Sequence, residues 1–312
     1  MEQVKLEVVR REVIKPASPS PHDRLQLSIF DLISPAVYVP VIFFYKAEDV
    51  TESPEIISGK LKSSLSETLS RFYPIAGRIE GVSISCNDEG AVFTEARTDI
   101  LLSDFLRNIN VDSLDRFSPI TLGDSPTVWP LLSVMVTFFG SGSGVAVTVA
   151  VSHRLCDAAS LLTFVTDWAT TTAKGKLNNN IHFAETTIYP PPHANLQSPS
   201  TDSTIKCVTN RFVFESSKIA ELKRQAASKA VPLPTRVEAM SALVWRIAKN
   251  ASRSNFSVPR PTLMSQIMDL GFRLHGTRSA TYKHHCSSRQ ATPWKSTIPW
   301  LHTGRPKKES TR

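Results

Sequence analysis

The chain has 312 residues, of which 41% are apolar and 21% are charged, and its formal net charge is +8. This length allows about two hydrophobic cores, and the ordinary apolar share excludes a collagen, a coiled coil and a chain that is disordered throughout. The longest apolar stretches, residues 40–45 and 145–151, are far shorter than the roughly 20 residues that a membrane span needs. Residues 1–11 lack the apolar block of a signal peptide. The sequence therefore predicts a cytoplasmic protein that makes no contact with a membrane.

The first part of the chain predicts strands and helices of a mixed α/β protein. Residues 4–14 alternate in the manner of a strand, and residues 36–45 have the Val, Ile, Tyr and Phe content of a buried strand. Between residues 54 and 72 the apolar positions recur at intervals of three and four, which is typical of an amphipathic helix. Further elements are predicted as strands at 82–85 and 91–96 around a turn at 87–90, paired buried strands at 131–139 and 145–151, and a helix at 158–171.

The second part begins after a segment that is poor in apolar residues. Residues 172–209 contain three consecutive asparagines and three consecutive prolines, which favours a crossover linker between domains. A strand is predicted at 209–214, and a helix from Ser217. Thr235 and Glu238 have the spacing of a capping box before a strongly periodic helix. Residues 262–270 are predicted to open another strand.

The positive charge lies almost entirely in one segment. Residues 275–312 hold eight basic side chains and one acidic side chain, so they account for +7 of the net charge. Such a tail can bind nucleic acid through phosphate contacts, but it has no stacking pattern and no known nucleic-acid motif. Among Val, Ile, Leu and Phe it contains only Ile298 and Leu301, too few to offset its ordering entropy. We expect a disordered or poorly packed tail and no nucleic-acid partner; an RNA- or DNA-binding arm is the third functional hypothesis.

The four cysteines, Cys86, Cys156, Cys207 and Cys286, are widely spaced and form no CxxC pair. A disulfide framework or a structural zinc site is therefore not expected, and reduced thiols are.

His153 is the main candidate for chemistry, because it follows an apolar strand and precedes a helix. Such a junction holds a side chain rigidly, and Asp157 lies four residues later. Three interpretations are open from the residues alone. The first, a metal site, lacks a third ligand at suitable spacing, and the second is a structural histidine. The third is a neutral imidazole that acts as a general base, with Asp157 fixing the local structure or orienting the ring.

The sequence around His153, VSHRLCDAASL, resembles the HxxxD motif of the plant BAHD acyltransferases, in particular their vinorine synthase-like branch. HxxxD alone is a weak pattern, but further segments resemble the family in the expected order over about residues 5–274. These segments are VIKPASPSPH from Val13, LSIFDLISP from Leu27, YVP from Tyr38, YPIAGR from Tyr73, CNDEG from Cys86, FTEA from Phe93 and VEAMSALVWR from Val237.

The resemblance implies a chloramphenicol acetyltransferase-like fold of two α/β domains with a channel between them. It implies acyl-CoA as co-substrate, with acetyl-CoA expected, and a small-molecule alcohol or amine as acceptor; no bound cofactor and no metal are expected. His153 would deprotonate the acceptor, whereas Asp157 would be a structural partner that pairs with an arginine. Cys156 is expected to pack in the core, since nothing near it except His153 favours a thiolate. The residues that bind the acyl-CoA are not identified.

The chain also departs from the family pattern. Gly271 stands where the first family arginine is expected, which leaves Arg273, and the DFGWG motif is absent. The expected domains are 1–171, the first acyltransferase domain; 172–209, the linker; 210–274, a partial second domain; and 275–312, a basic tail that is disordered or out of frame. We therefore expect a truncated, aggregation-prone monomer with little or no transferase activity. The alternative from another class is a catalytically dead binding or interaction protein derived from such an enzyme.

Overall fold

The computed structural model describes residues 4–50, 52–107, 109–120, 130–175, 181, 183, 209–255, 265–266 and 289–290. Its described residues form two compact units, one ending at Asn210 and one beginning at Arg211. The expected linker 172–209 and tail 275–312 lie mostly outside the described residues. Within the described chain, no helix has the length and apolar content to cross a bilayer.

In its described residues the first unit is a mixed α/β structure with eight strands and five helices. The strands are β1 (Glu7–Ile14), β2 (Arg24–Gln26), β3 (Tyr38–Lys46), β4 (Arg78–Glu80), β5 (Ser83–Ser85), β6 (Ala91–Arg97), β7 (Leu132–Phe138) and β8 (Gly144–Ser152). The helices are α1 (Ile29–Ile33), α2 (Pro54–Arg71), α3 (Leu102–Arg107), α4 (Val111–Leu114) and α5 (Ala158–Lys174).

Five of these strands form one sheet in the order β1-β6-β7-β8-β3. All neighbours are antiparallel except β6 and β7, which are parallel. The central strands β7 and β8 are buried along their whole length, as their continuous apolar sequences predict. The prediction of a buried strand at 36–45 was wrong in its burial: β3 pairs with β8 alone, so it is an edge strand whose residues are half-buried or exposed.

A second, three-stranded sheet has the order β2-β5-β4. The predicted strands on either side of the turn at 87–90 are present, but they belong to different sheets, so the turn is a connection and not a hairpin. Gly90 has a φ of +89°, and a Cβ there would lie 2.4 Å from the carbonyl oxygen of Ile14. Glycine is therefore required where this connection passes the end of β1.

Helices α2 and α5 cover one face of the five-stranded sheet. Ser53 caps α2 with its side chain, and Pro54 occupies the first turn. The indole nitrogen of Trp168 in α5 donates hydrogen bonds to α2, at Leu61 O (3.2 Å) and at Ser64 Oγ (3.0 Å). The apolar stripes of both helices, read from the sequence as amphipathic faces, supply the main core. Its fully buried side chains include Leu65, Leu69, Phe72, Phe93, Val134, Val149 and Phe164.

In its described residues the second unit contains two helices that contact each other, α6 (Ser216–Ala226) and α7 (Arg236–Asn255). The predicted capping box is confirmed: the backbone N–H of Glu238 donates to the Thr235 hydroxyl, and that of Thr235 donates to the Glu238 carboxylate. The predicted strand at 209–214 was wrong, since residues 209–215 form no strand. The short strands β9 (Ser265–Gln266) and β10 (Arg289–Gln290) pair with each other in a two-stranded sheet. The rest of the predicted strand at 262–270 lies outside the described residues.

Candidate active site

His153 lies immediately after the last residue of β8 and begins a tight turn into α5. Its backbone N–H donates to Val37 O at 2.8 Å, one step beyond the β3–β8 pair Tyr38–Ser152. The backbone N–H groups of Leu155 and Cys156 both donate to Ser152 O, at 3.0 and 3.1 Å. The turn is therefore fixed by one backbone hydrogen bond to the residue before β3 and by two backbone hydrogen bonds within the turn itself.

The imidazole of His153 occupies the rim of the core. The residue is half-buried, whereas Leu155 and Cys156 after it are each about 2% exposed and belong to the core. Within the described chain the ring nitrogen Nδ1 is buried and has no hydrogen-bond partner. The ring is thus held close to packed side chains without being enclosed by them.

Asp157 is the N-cap of α5. Its carboxylate oxygen Oδ1 accepts a hydrogen bond of 2.8 Å from the backbone N–H of Ser160, which would otherwise be an unpaired donor in the first turn. Its negative charge also lies at the positive end of the helix dipole. No hydrogen bond or ion pair joins Asp157 to His153 in the part of the chain that the structure describes. Gly271 and Arg273, where the resemblance places the arginine partner, lie outside the described residues.

A stripe of buried hydroxyl groups leads along the sheet to His153. Ser152 and Thr148 lie on one face of β8, and Ser133 and Thr137 lie on the same face of the neighbouring β7. All four are fully buried, and none of the four hydroxyls has a hydrogen-bond partner in the described chain. Sequence analysis missed this stripe, although Ser and Thr alternate there with the apolar residues that face the helices.

The described cysteines do not provide a nucleophile. Cys86 and Cys156 are buried, and neither forms a disulfide bond among the described residues. Burial, with a smaller effect of the nearby Asp88 carboxylate, raises the pKa of the Cys86 thiol to about 11, so the thiolate is scarce at neutral pH. Among the residues that the structure describes, no group of three or more His, Cys, Asp or Glu side chains is arranged to hold a metal ion. Cys207 and Cys286 lie outside them.

Arg78 holds one of the segments that carry the family resemblance. Its guanidinium makes an ion pair of 2.9 Å with Glu89 and donates to the carbonyl oxygens of Gly77 and Gly90. Burial lowers the pKa of Arg78, while Glu89 opposes that effect. The arginine of the YPIAGR element therefore fixes the connection between the two sheets, and its described contacts do not include His153.

Comparison with known proteins matches most of the chain to acyltransferases and to one transferase family model. Residues 4–283 match the model of the Transferase family. BAHD acyltransferase BIA1 of Arabidopsis thaliana is 67% identical over 279 residues, which are 87% of this chain and 64% of that protein. Stemmadenine O-acetyltransferase of Catharanthus roseus is 31% identical, over 86% of this chain and 66% of its own length. The chain thus spans less than two thirds of the length of either protein.

Solved structures agree with the fold. The crystal structure of vinorine synthase superposes with a TM-score of 0.74 at 28% identity, covering 92% of this chain and 69% of that one. TRI101 of F. sporotrichioides, crystallised with coenzyme A and T-2, has a TM-score of 0.65 at 16% identity, covering 85% of this chain and 69% of the other. The second likeness concerns the fold alone. The expected chloramphenicol acetyltransferase-like fold is confirmed by these neighbours.

Proposed function

The chain belongs to the BAHD acyltransferase family, and from this premise we propose that it transfers an acyl group from acyl-CoA to a hydroxyl or amine of a plant specialised metabolite. The specific form of the proposal is an O-acetyl transfer from acetyl-CoA to an alkaloid- or terpenoid-like alcohol. The observation that carries it is the placement of His153, half-buried and hydrogen-bonded through its backbone at the end of β8.

In the proposed mechanism His153 is the general base. Because Nδ1 is buried, we assign the base to Nε2, the other ring nitrogen. Nε2 removes the proton from the acceptor hydroxyl while its oxygen attacks the thioester carbonyl of acyl-CoA. The tetrahedral intermediate then collapses, the carbon–sulfur bond breaks, and the coenzyme A thiolate leaves and takes the proton from the imidazolium. A positioned base of this type contributes roughly 10²–10⁴ in rate.

Asp157 is proposed as a positioning residue that does not touch the reacting atoms. Its side chain is engaged by the first turn of α5, which begins four residues after His153. Fixing the start of α5 also fixes the turn that carries the imidazole, because Leu155 and Cys156 between them are packed in the core. The two polar residues of the HxxxD motif would thus have different tasks.

The proposed setting is the cytosol, and the proposed form is a monomer. The buried thiols of Cys86 and Cys156, neither of which forms a disulfide bond among the described residues, suit a reducing compartment. Acyl-CoA and the acceptor are the proposed partners. No described residue is assigned to binding either of them, since these contacts depend on parts of the chain outside the described residues.

The test is a turnover assay on the full chain with acetyl-CoA and a panel of alcohols and amines. Release of coenzyme A is followed with a thiol reagent, and the acylated product is identified by mass spectrometry. Because the chain is expected to have little activity, we expect slow turnover. His153→Ala should lower the measured kcat by roughly 10²–10⁴, while the matched control His22→Ala, at an exposed histidine, should leave it unchanged. Turnover that His153→Ala does not reduce would contradict the mechanism. Absence of turnover in every variant, with ligand binding retained, would favour the catalytically dead binding protein.

A further inference from the structure

The hydroxyl of Tyr38 joins the two strands that flank the end of β8. Tyr38 is the first residue of β3, and its hydroxyl donates a hydrogen bond of 2.9 Å to Pro130 O, two residues before β7 begins. In the five-stranded sheet β8 lies between β7 and β3. Because neighbouring strands are about 4.8 Å apart, the phenol must cross β8 to make this contact.

The side chain of Tyr38 crosses β8 at the residue before His153. Tyr38 lies directly opposite Ser152 on β8, so the two side chains share a face of the sheet. On the β7 side, the backbone N–H of Ser152 donates to Leu131 O at 2.9 Å. On the β3 side, the backbone N–H of His153 donates to Val37 O at 2.8 Å. The Tyr38 hydrogen bond therefore joins the two segments that hold the end of β8.

Pro130 explains why a side chain makes this connection. Proline has no backbone N–H, so it cannot donate to a neighbouring strand. Its carbonyl oxygen is still an acceptor, and Pro130 is buried, where an unpaired carbonyl is costly. The Tyr38 hydroxyl supplies the donor. Because β3 is an edge strand with β8 on one side only, the same bond also gives its first residue a second attachment to the sheet.

We propose that Tyr38 is a positioning residue for His153, an inference that rests on the proposed function. Its hydroxyl proton is directed to Pro130 O, so it is not assigned a contact with the reacting atoms. Tyr38 fixes the starts of β3 and β7 relative to each other, and hence the point at which β8 ends and the turn of His153 begins. A misplacement of about 1 Å can lower a rate roughly 100-fold. Tyr38 thus acts on the sheet side of the turn, and Asp157 on the helix side.

The test compares Tyr38→Phe with Tyr45→Phe, which removes a hydroxyl from the same type of residue at the other end of β3. Tyr45 is 41% exposed and pairs with Val145, near the opposite end of β8. The full chain is assayed with acetyl-CoA and an alcohol that it acylates, and kcat and KM are determined separately. We expect Tyr38→Phe to lower kcat about ten-fold and to change the KM for acetyl-CoA by less than about two-fold. Tyr45→Phe should change neither.

A second measurement does not depend on turnover. Hydrogen exchange of the His153 backbone amide, followed by NMR, reports how firmly the turn is held to Val37 O. The amide of Val149, in the middle of β8, reports any general loss of stability. We expect Tyr38→Phe to accelerate exchange at His153 at least about five-fold more than at Val149, and Tyr45→Phe to accelerate neither.

The two measurements separate this proposal from the proposed function. Faster exchange at His153, without turnover in the wild type, would support the positioning of the turn by Tyr38 and contradict only the proposed enzyme. Exchange at His153 that rises no more than exchange at Val149 would overturn the proposal. An undiminished kcat in Tyr38→Phe, or an equal loss of kcat in Tyr45→Phe, would overturn it as well.

Discussion

The two units contain helices with equally periodic apolar positions, but these positions have different surroundings. In the first unit Leu65 and Phe164, on α2 and α5, are fully buried against the sheet. In the second unit Val237, Val244 and Ile247 of α7 are each more than half exposed. Among the described residues of that unit, the buried apolar side chains are only Pro234 and three alanines, Ala226, Ala239 and Ala242.

The difference shows that periodicity predicts a helix but not a core. An apolar stripe is stabilising only when another surface removes it from water, at roughly 25 cal/mol per Å². The five-stranded sheet supplies that surface to α2 and α5, whereas α7 in the described second unit contacts α6, and the fully buried side chains on these two helices are alanines. Helical structure in the second unit should therefore depend more on capping and local charge than on packing.

The largest expected difference between the units comes from truncating one apolar side chain in each. Phe164→Ala removes a fully buried ring that packs edge-on against Phe72 at 5.2 Å, and should lower the free energy of unfolding by about 4 kcal/mol. Val244→Ala, at a site that is 59% exposed, should change it by less than about 0.5 kcal/mol. Urea unfolding, followed by circular dichroism, measures both. A loss in Val244→Ala comparable with that in Phe164→Ala would show that α7 is covered in solution.

A second contrast uses an ion pair from each unit. Arg71 of α2 pairs with Asp167 of α5, and both side chains are nearly buried, at 11% and 6% exposure. Asp167→Asn leaves the buried guanidinium without its counter-charge and should destabilise the protein by about 3 kcal/mol. Glu221→Gln removes the partner of Arg224 in an exposed pair, which should give no measurable change in urea unfolding. If the two variants lower the free energy of unfolding by similar amounts, the two ion pairs do not differ in their contribution to stability.

The pH dependence of the exposed pair follows from the same contacts. Hydrogen bonding to Arg224 lowers the pKa of the Glu221 carboxylate to about 2, from an ordinary value of 4.5. Because the folded value lies below the unfolded one, its stabilising effect is complete above pH 4.5 and is lost as the pH falls through about 2. The wild type should therefore have a stronger helical circular dichroism signal than Glu221→Gln above pH 4.5, and this difference should shrink as the pH falls towards 2. At roughly 1 M salt the difference should vanish. If the difference in helical signal is unchanged at high salt, it does not come from the ion pair between Glu221 and Arg224.

The elements that could be predicted from the sequence are those with a long, regular pattern. The helix at 54–72, the strands at 131–139 and 145–151 and the helix at 158–171 agree with α2, β7, β8 and α5 within a few residues. Short elements such as α1, α3 and β4 were missed, since three to six residues carry no periodicity. The error at 209–214 has a different cause: Phe212 and its neighbours have strand propensity, but a strand also requires a partner.

The candidate site could be predicted in part. The position of His153 between a strand and a helix follows from the pattern, whereas the capping role of Asp157 was not predicted and is seen only in the structure. The unpaired hydroxyls of Ser133 and Ser152 could not be recognised, because their surroundings depend on pairing between strands that is invisible in a linear pattern.

The last contrast compares the helix caps of the two units. Asp157→Ala removes the acceptor for the Ser160 N–H and should destabilise the first unit by about 1 kcal/mol, whereas Asp157→Asn, which keeps a capping oxygen, should lose little. Thr235→Ala in the second unit should lower the helical signal of α7 with little effect on the main urea transition, which reports the sheet core. Hydrogen exchange at the first turns of α5 and α7 locates each loss. If Asp157→Asn destabilises the protein as much as Asp157→Ala does, the turn that carries His153 requires the negative charge of the carboxylate and not the capping hydrogen bond. That result would favour pairing of Asp157 with an arginine.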